Sequence, residues 1–201
     1  MNERYYHPTA LVESTLIGAG TRVWAFAHVM SGARVGSNCN LGNHTFIESG
    51  ASIGNNVTLK NNVCVWLGVT LEDDTFIGPS VAFTNDRVPR SPRMPQVRRR
   101  YEQTERWMLP TVIERGASIG ANATILPGLR VGRYAMVGAG ALVTADVPPF
   151  ALVIGSPARW VADLCRCGQK LNESYQAATC ASCGETPEMR CHHSELETVA
   201  L

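Results

Sequence analysis

The chain has 201 residues, 45% hydrophobic and 17% charged, which suffices for one domain with a buried core and a small appendage. Eighteen basic against 17 acidic groups leave a net charge of +1, which excludes a general polyanion or nucleic-acid binder. Eighteen glycines and 11 prolines fall short of a disordered composition. No run of about 18 apolar residues occurs and the first six residues carry no secretory apolar stretch, so a cytoplasmic protein without a membrane span is expected. In that setting the seven cysteines read as reduced thiols or metal ligands rather than disulfides.

From Leu11 to Phe83 an aliphatic or aromatic residue recurs at every sixth position, through Ile17, Val23, Val29, Val35 and on to Leu71 and Ile77. The same frame resumes at Ile113 and runs through Ile119, Ile125, Val131 and Val137 to Val143, nineteen hexads in all. Two residues before each stands a small or β-branched side chain such as Thr21, Ala27, Ala51 or Val63, with Leu129 the exception. A spacing of two puts both groups on one face of a strand, so each hexad is predicted to be a strand of about three residues with one small and one large inner group. Three positions after the aliphatic residue, glycine, asparagine or aspartate prevails (Gly20, Gly32, Asn38, Asn56, Asp74, Gly116, Asp146), residues that tolerate positive φ and bend the chain at each corner. Such short strands with a corner in every hexad make a coil of stacked strands. An antiparallel sandwich would space its turns by about 8–12 residues.

Between Phe83 and Ile113 the frame fails. Pro89 and Pro95 occupy aliphatic positions, and proline cannot donate to a strand ladder, so residues 84–110 are predicted to leave the coil as an excursion. The segment holds Arg87, Arg90, Arg93, Arg98, Arg99, Arg100 and Arg106 against three acidic residues. Guanidinium groups grip phosphate or carboxylate bidentately, so we expect Arg87, Arg90 and Arg93 to contact an anionic substrate, with a solvated loop as the alternative. His44 falls at a corner position, where it serves as a turn residue. His28 directly precedes Val29 and is expected to face outward, toward substrate or toward a second subunit. With three hexads to a turn, as the resemblance described below implies, it would lie three coils, about 14 Å, from residue 82, too far for direct proton transfer within one subunit to the Asn85 that the same resemblance makes catalytic. Trp24, Trp66 and Phe26 are expected on the outer faces as exposed apolar groups suited to burial between subunits.

After Trp160 the composition changes. Cys165-Arg-Cys167-Gly168 and Cys180-Ala-Ser-Cys183-Gly184 look like the two knuckles of a four-cysteine zinc ribbon, though the first pair has one intervening residue where two are usual. Cys191, His192 and His193 are substitute ligands, and residues 194–201 read as a frayed end. The expected division is a coil domain over 1–161 and a cysteine-rich tail over 162–201.

The hexads resemble those of the hexapeptide-repeat acyltransferases, over Tyr6 to about Val161. That resemblance implies an all-β, left-handed parallel β-helix with three hexads per turn, here about six coils, and a homotrimer. The stretch Ser80-Val-Ala-Phe-Thr-Asn85-Asp86, with Phe26-Ala27-His28, Asn61-Asn62-Val63 and Leu71-Glu72, is similar to the N-acetyltransferases acting on nucleotide-linked 3-amino sugars. The resemblance implies that Asn85 lies against the sugar amine as the catalytic residue and that Asn61 and His28 contact substrate. A neutral amine attacking a thioester needs positioning and an oxyanion donor more than a strong base. Gly132 to Gly140, Thr144 to Ala151 and Gly155-Ser-Pro-Ala-Arg159 resemble the donor end of acetyl-CoA-using members. There Gly120, Ala121, Gly138 and Ala139 would give low walls for pantetheine, and Arg159 would approach the CoA phosphates. The function so implied is acetyl-CoA-dependent N-acetylation of an amino-sugar nucleotide for surface polysaccharide synthesis. An O-acetyltransferase and a non-enzymatic scaffold are the alternatives.

Overall fold

The computed structural model describes residues 3–171 and 179–186. The chain winds into a parallel β-helix with three sheets of nine, seven and five strands. Arg22 pairs Asn40, Asn40 pairs Thr58 and Thr58 pairs Phe76, so each coil consumes three hexads. Phe76 then pairs Ser118, so the excursion adds the length of four further hexads to a single coil and leaves the ladder in register above it.

Two features depart from the hexad reading. Most strands have two residues, such as Arg22–Val23, and three only at Val69–Leu71 and Thr111–Ile113. The small inner residue stands just outside the strand yet is still buried, as Thr21 and Val23 show, both 0% exposed. The first sheet also carries eight parallel rungs, from Tyr5–Tyr6 to Ala151–Ile154, rather than about six. The two end rungs lie off the regular frame. Val12 pairs Val29, one position short of a full coil, and Val137 pairs Val153, two positions short. A slip of one position flips a strand's faces. Leu11 therefore points to solvent, 54% exposed, and Val12 takes the inner place predicted for it.

Inside the prism Val23, Leu41, Leu59, Ile77, Ile119 and Val137 stack in one file, all inaccessible to solvent. Each such side chain contributes about 1.5–3 kcal/mol by leaving water. Buried hydroxyls are satisfied locally; Thr21 Oγ1 donates to the Gly36 carbonyl at 2.7 Å. The corners turn through left-handed residues as expected at Gly20, Asn38, Asn56 and Asp74, and also at Phe26, His44, Ser80 and Tyr134 in the same phase. Asp146 is the exception. It does not adopt positive φ, and its carboxylate instead accepts the Arg130 amide at 2.8 Å, because the last coil is shortened there.

Trp24 and Trp66 are half-buried rather than exposed. Trp24 Nε1 donates to Asn40 Oδ1 at 2.8 Å, and Trp66 packs on the core and donates to the Phe83 carbonyl at 3.0 Å. Phe26 is exposed as expected, at 59%. The upper end closes with a hairpin in which Arg159–Asp163 pairs antiparallel to Ala151–Ile154 and runs through the domain boundary expected at 161. Cys191, His192, His193 and residues 194–201 lie outside the described residues.

Candidate active site

The arm at 84–110 leaves the helix at the corner between the second and third sheets. A bridge between Asp86 and Met108 holds its base, and it carries short helical turns at Arg98–Tyr101 and Thr104–Arg106. Asp86 organises it. Its carboxylate, with a side chain 9% exposed, accepts from Tyr101 Oη at 2.6 Å, from the Val88 amide at 2.9 Å and from the Arg100 guanidinium. Burial alone would raise the Asp86 pKa, but the Tyr101, Val88 and Arg100 bonds together hold it below the ordinary carboxylate value. Arg100 is thus consumed in folding the arm, whereas Arg87, Arg90 and Arg93 reach solvent with their side chains. Neither Asp86 nor Tyr101 was singled out from the sequence, because nothing local couples two such distant positions in an irregular segment.

Asn85 sits half-buried at the root of the arm. Its carbonyl accepts the Leu109 amide at 2.9 Å, and its Nδ2 donates to the Leu67 carbonyl at 3.2 Å. A backbone carbonyl can only accept, so Leu67 fixes the amide's orientation and presents Asn85 Oδ1 as the free acceptor face. Beside it runs an aromatic file on the second sheet: the His28 ring meets Phe46 edge-on at 5.3 Å, and Phe46 meets Trp66 at 5.5 Å. His28 lies three rungs below Ala82, as predicted, through Phe46 and Cys64. Its Nε2 is 3.1 Å from Glu13 Oε2, and this hydrogen bond, with one from the Ser31 amide, lowers the Glu13 pKa. His44 holds its corner at φ 58° and stacks on Phe26 at 5.0 Å.

The residues expected on the donor side gather on a different corner, between the first and second sheets. Gly120 and Ala121, then Gly138 and Ala139, follow there in two successive coils, and Arg159 stands beside the same corner in register with Ile154. Asn61, expected against the sugar, lies instead at this corner two coils below Ala121, with the coil of Pro79 between them. Asn61 Oδ1 accepts the Asn43 amide at 3.0 Å and so also ties coil to coil. A Cβ on Gly120 would lie 2.4 Å from the Ala139 nitrogen, and one on Gly138 would lie 2.6 Å from Ile154 Cγ2. Those two glycines let adjacent coils stack. Gly140, at φ +69°, has nothing within 4 Å of such a Cβ, so the surface beside it is open. Asn85 and this donor corner occupy opposite edges of the second sheet, about one hexad of near-extended chain or up to ~20 Å apart.

The tail brings together the four cysteines named from the sequence. The sulfurs of Cys165, Cys167, Cys180 and Cys183 all lie within 4.8 Å of one another, with Cys165–Cys183 at 3.6 Å and Cys167–Cys180 at 3.7 Å. A tetrahedral ion with metal–sulfur bonds of about 2.3 Å requires edges of roughly 3.8 Å, so the donor set fits zinc. The Cys183 and Ser182 amides pull the Cys180 thiol down to about 6. Cys183 is pushed up to about 12: a bond from the Glu185 amide lowers it, but desolvation and the three neighbouring thiols prevail. Among the described residues no helix is long and apolar enough to cross a membrane.

A parallel β-helix of hexads, with one arginine-bearing arm at a corner, defines a hexapeptide-repeat protein. The family described as bacterial transferase hexapeptide (six repeats) matches residues 14–49 and 110–145. Over 181 residues, 90% of this chain and 88% of the relative, the sequence is 46% identical to the dTDP-3-amino-3,6-dideoxy-alpha-D-galactopyranose 3-N-acetyltransferase of Aneurinibacillus thermoaerophilus. Over 50 residues, 25% of this chain and 21% of the relative, it is 58% identical to a 2,3,4,5-tetrahydropyridine-2,6-dicarboxylate N-acetyltransferase of Staphylococcus aureus strain JH9. Among solved structures, the acetyltransferase domain of PglB from Neisseria gonorrhoeae shares the fold at a TM-score of 0.50 and 22% identity, over 80% of this chain and 58% of that one. The protein belongs to the hexapeptide-repeat acyltransferases, in the branch of the sugar-nucleotide N-acetyltransferases.

Proposed function

We propose that the protein transfers the acetyl group of acetyl-CoA to the 3-amino group of a nucleotide-linked amino sugar, a dTDP-linked 3-amino-3,6-dideoxyhexose being the first acceptor to test. The observation that carries this reading is Asn85, whose Nδ2 is held by the Leu67 carbonyl at 3.2 Å at the root of the arginine-bearing arm, leaving Oδ1 as the acceptor of the side chain. Extended similarity to the Aneurinibacillus enzyme supports the same acceptor class.

In this reading Asn85 Oδ1 accepts an N–H of the neutral sugar amine and aims its lone pair at the thioester carbon. The new C–N bond forms as the C–S bond breaks, and the departing CoA thiolate takes the surplus proton. Arg87, Arg90 and Arg93 grip the pyrophosphate of the sugar nucleotide. Asn61 borders the donor corner. Gly120, Ala121, Gly138 and Ala139 bed the pantetheine, and Arg159 meets the CoA phosphates.

The opposed positions of arm and donor corner support a homotrimer in which the arm of one copy faces the donor corner of the next. With copies side by side about an axis parallel to the coil, heights are preserved between them. His44 then stays about 10 Å and His28 about 14 Å below Asn85, whichever copy supplies it. That favours an amine, which needs no strong base, over a hydroxyl acceptor, and it leaves His28 to substrate periphery or the subunit contact. Acetyl-CoA and nucleotide sugars are cytoplasmic pools, and we assign the protein to that compartment. The four-cysteine cluster is assigned a structural zinc ion.

The test is thiol release from acetyl-CoA with a panel of 3-amino and 3-hydroxy sugar nucleotides. Release with a 3-amino member alone is the expected result; release only with hydroxy sugars, or with none, would overturn the reading.

A further inference from the structure

We infer that the four-cysteine site is a metal brace for the acetyl-CoA end of the helix, so that zinc occupancy sets donor affinity. This rests on the donor assignment above.

The last strand of the coil, Ala151–Ile154, would leave an open sheet edge, and among the described residues the return strand Arg159–Asp163 alone pairs with it there. That return strand is the outermost of the nine-stranded sheet, held at its start by the Ala158 amide on the Leu142 carbonyl at 2.7 Å and by Trp160 against the core. Elsewhere it is looser. Arg159 is exposed, Val161 is 39% exposed, and the pairing shifts register between Leu152 and Val153. Its anchor lies immediately beyond it. Leu164, 1% exposed, donates its amide to the Phe150 carbonyl at 2.7 Å; the next residue is Cys165. The Leu171 amide returns to the Asp163 carbonyl at 2.8 Å, and Leu164 bridges Lys170, so the first knuckle is an extension of the hairpin. The knuckle also rests on the helix, with the Arg166 guanidinium 5.1 Å over the Tyr134 ring.

The second knuckle begins only at Cys180, and its Cys183 is exposed. Closing the chain between the two knuckles costs entropy, and a metal bound to four thiolates, displacing their protons, supplies the compensating free energy as folding free energy. The mechanical consequence reaches the donor corner by contact. The return strand pairs Ile154 with Arg159, and Ile154 covers Gly138. A loosened hairpin therefore releases the residue assigned to the CoA phosphates and one wall of the pantetheine bed together.

The experiment uses the full chain purified without chelator. Zinc is measured by elemental analysis, amide exchange is followed over 151–163, and acetyl-CoA and sugar-nucleotide dissociation constants are determined by calorimetry. Wild-type protein should hold about one zinc per chain. Cys183→Ser should lose it, with roughly tenfold faster exchange in 151–163 and unchanged exchange at 40–77. Its acetyl-CoA dissociation constant should rise roughly five- to tenfold, while that for the sugar nucleotide stays within about twofold. Cys183→His, which keeps a ligand, should restore zinc, exchange and donor affinity. If Cys183→Ser lost zinc while the hairpin and acetyl-CoA affinity were unchanged, the brace would be refuted and the acetyltransferase reading would stand. Wild-type protein without zinc but with a protected hairpin would overturn it equally. Were acetyl-CoA not to bind even the zinc-loaded wild type, the donor assignment would fail, and the exchange arm would decide on the brace alone.

Discussion

The Tyr101 hydroxyl donates to Asp86 Oδ2 across 2.6 Å and so joins the outer part of the arm to its root, beside Asn85. This contact makes the arm a fixed feature rather than a loose strand of arginines. Removing it by Tyr101→Phe should cost about 1–2 kcal/mol, since the acceptor is a nearly buried charge. Amide exchange at 88–105 should quicken, and the sugar-nucleotide KM should rise more than kcat falls.

The same carboxylate gives the arm a pH dependence. The folded pKa of Asp86 lies below its ordinary value, because the Tyr101, Val88 and Arg100 bonds outweigh burial. Above about pH 5 the group is ionised whether the chain is folded or not, and the stabilisation is complete. As pH falls through about 4 the unfolded chain takes up the proton first, so the stabilisation fades until the folded pKa is passed. Thermal melts between pH 3 and 7 should show this loss in the wild type. In Asp86→Asn that component should be absent.

Asn85 should discriminate sharply between substitutions. Asn85→Ala removes the acceptor for the amine and should lower kcat roughly 10²-fold. Asn85→Asp places a second acceptor against the Leu67 carbonyl, 3.2 Å from the present Nδ2, so it should lower both kcat and Tm, where the alanine variant lowers mainly kcat.

Two glycines on the donor corner should behave oppositely. Gly120→Ala pushes a Cβ to 2.4 Å from the Ala139 nitrogen and should sharply lower Tm. Gly140→Ala meets nothing within 4 Å, so its stability cost is limited to left-handed strain of about 1–2 kcal/mol. Its methyl group stands in the open donor corner, and the acetyl-CoA KM should rise. Parallel melts and donor titrations of the two variants check this.

The prism itself was legible from the chain. Val23, Leu41, Leu59 and Ile77 fall three hexads apart and stack as the hexads predict. The ends were not, because shortening the first and last coils by one and two positions breaks the phase; Leu11 and Val12 exchange faces on that account. The separation of Asn85 from the donor corner was present in the same arithmetic. Once the insertion is subtracted, Asn61, Ala121 and Ala139 share one phase of the three-hexad coil and Asn85 another. The lock at Asp86 had no such signal, since irregular chain carries no period and its partners were hidden among seven arginines. The cysteine cluster was legible through spacing alone, whereas its attachment to the closing hairpin emerged only from the Leu164 and Leu171 amides.

Mixing two inactive variants tests the composite site most directly. Asn85→Ala supplies an intact donor corner, Ala139→Trp blocks that corner but keeps Asn85, and the two are unfolded and reassembled together at equal amounts. If arm and corner come from adjacent copies, thiol release with a 3-amino sugar nucleotide should recover to about a quarter of wild type, the fraction of interfaces carrying both intact halves. Activity no greater than that of either parent, from properly reassembled protein, would contradict a site shared between copies and with it the path from the thioester to the amine at Asn85.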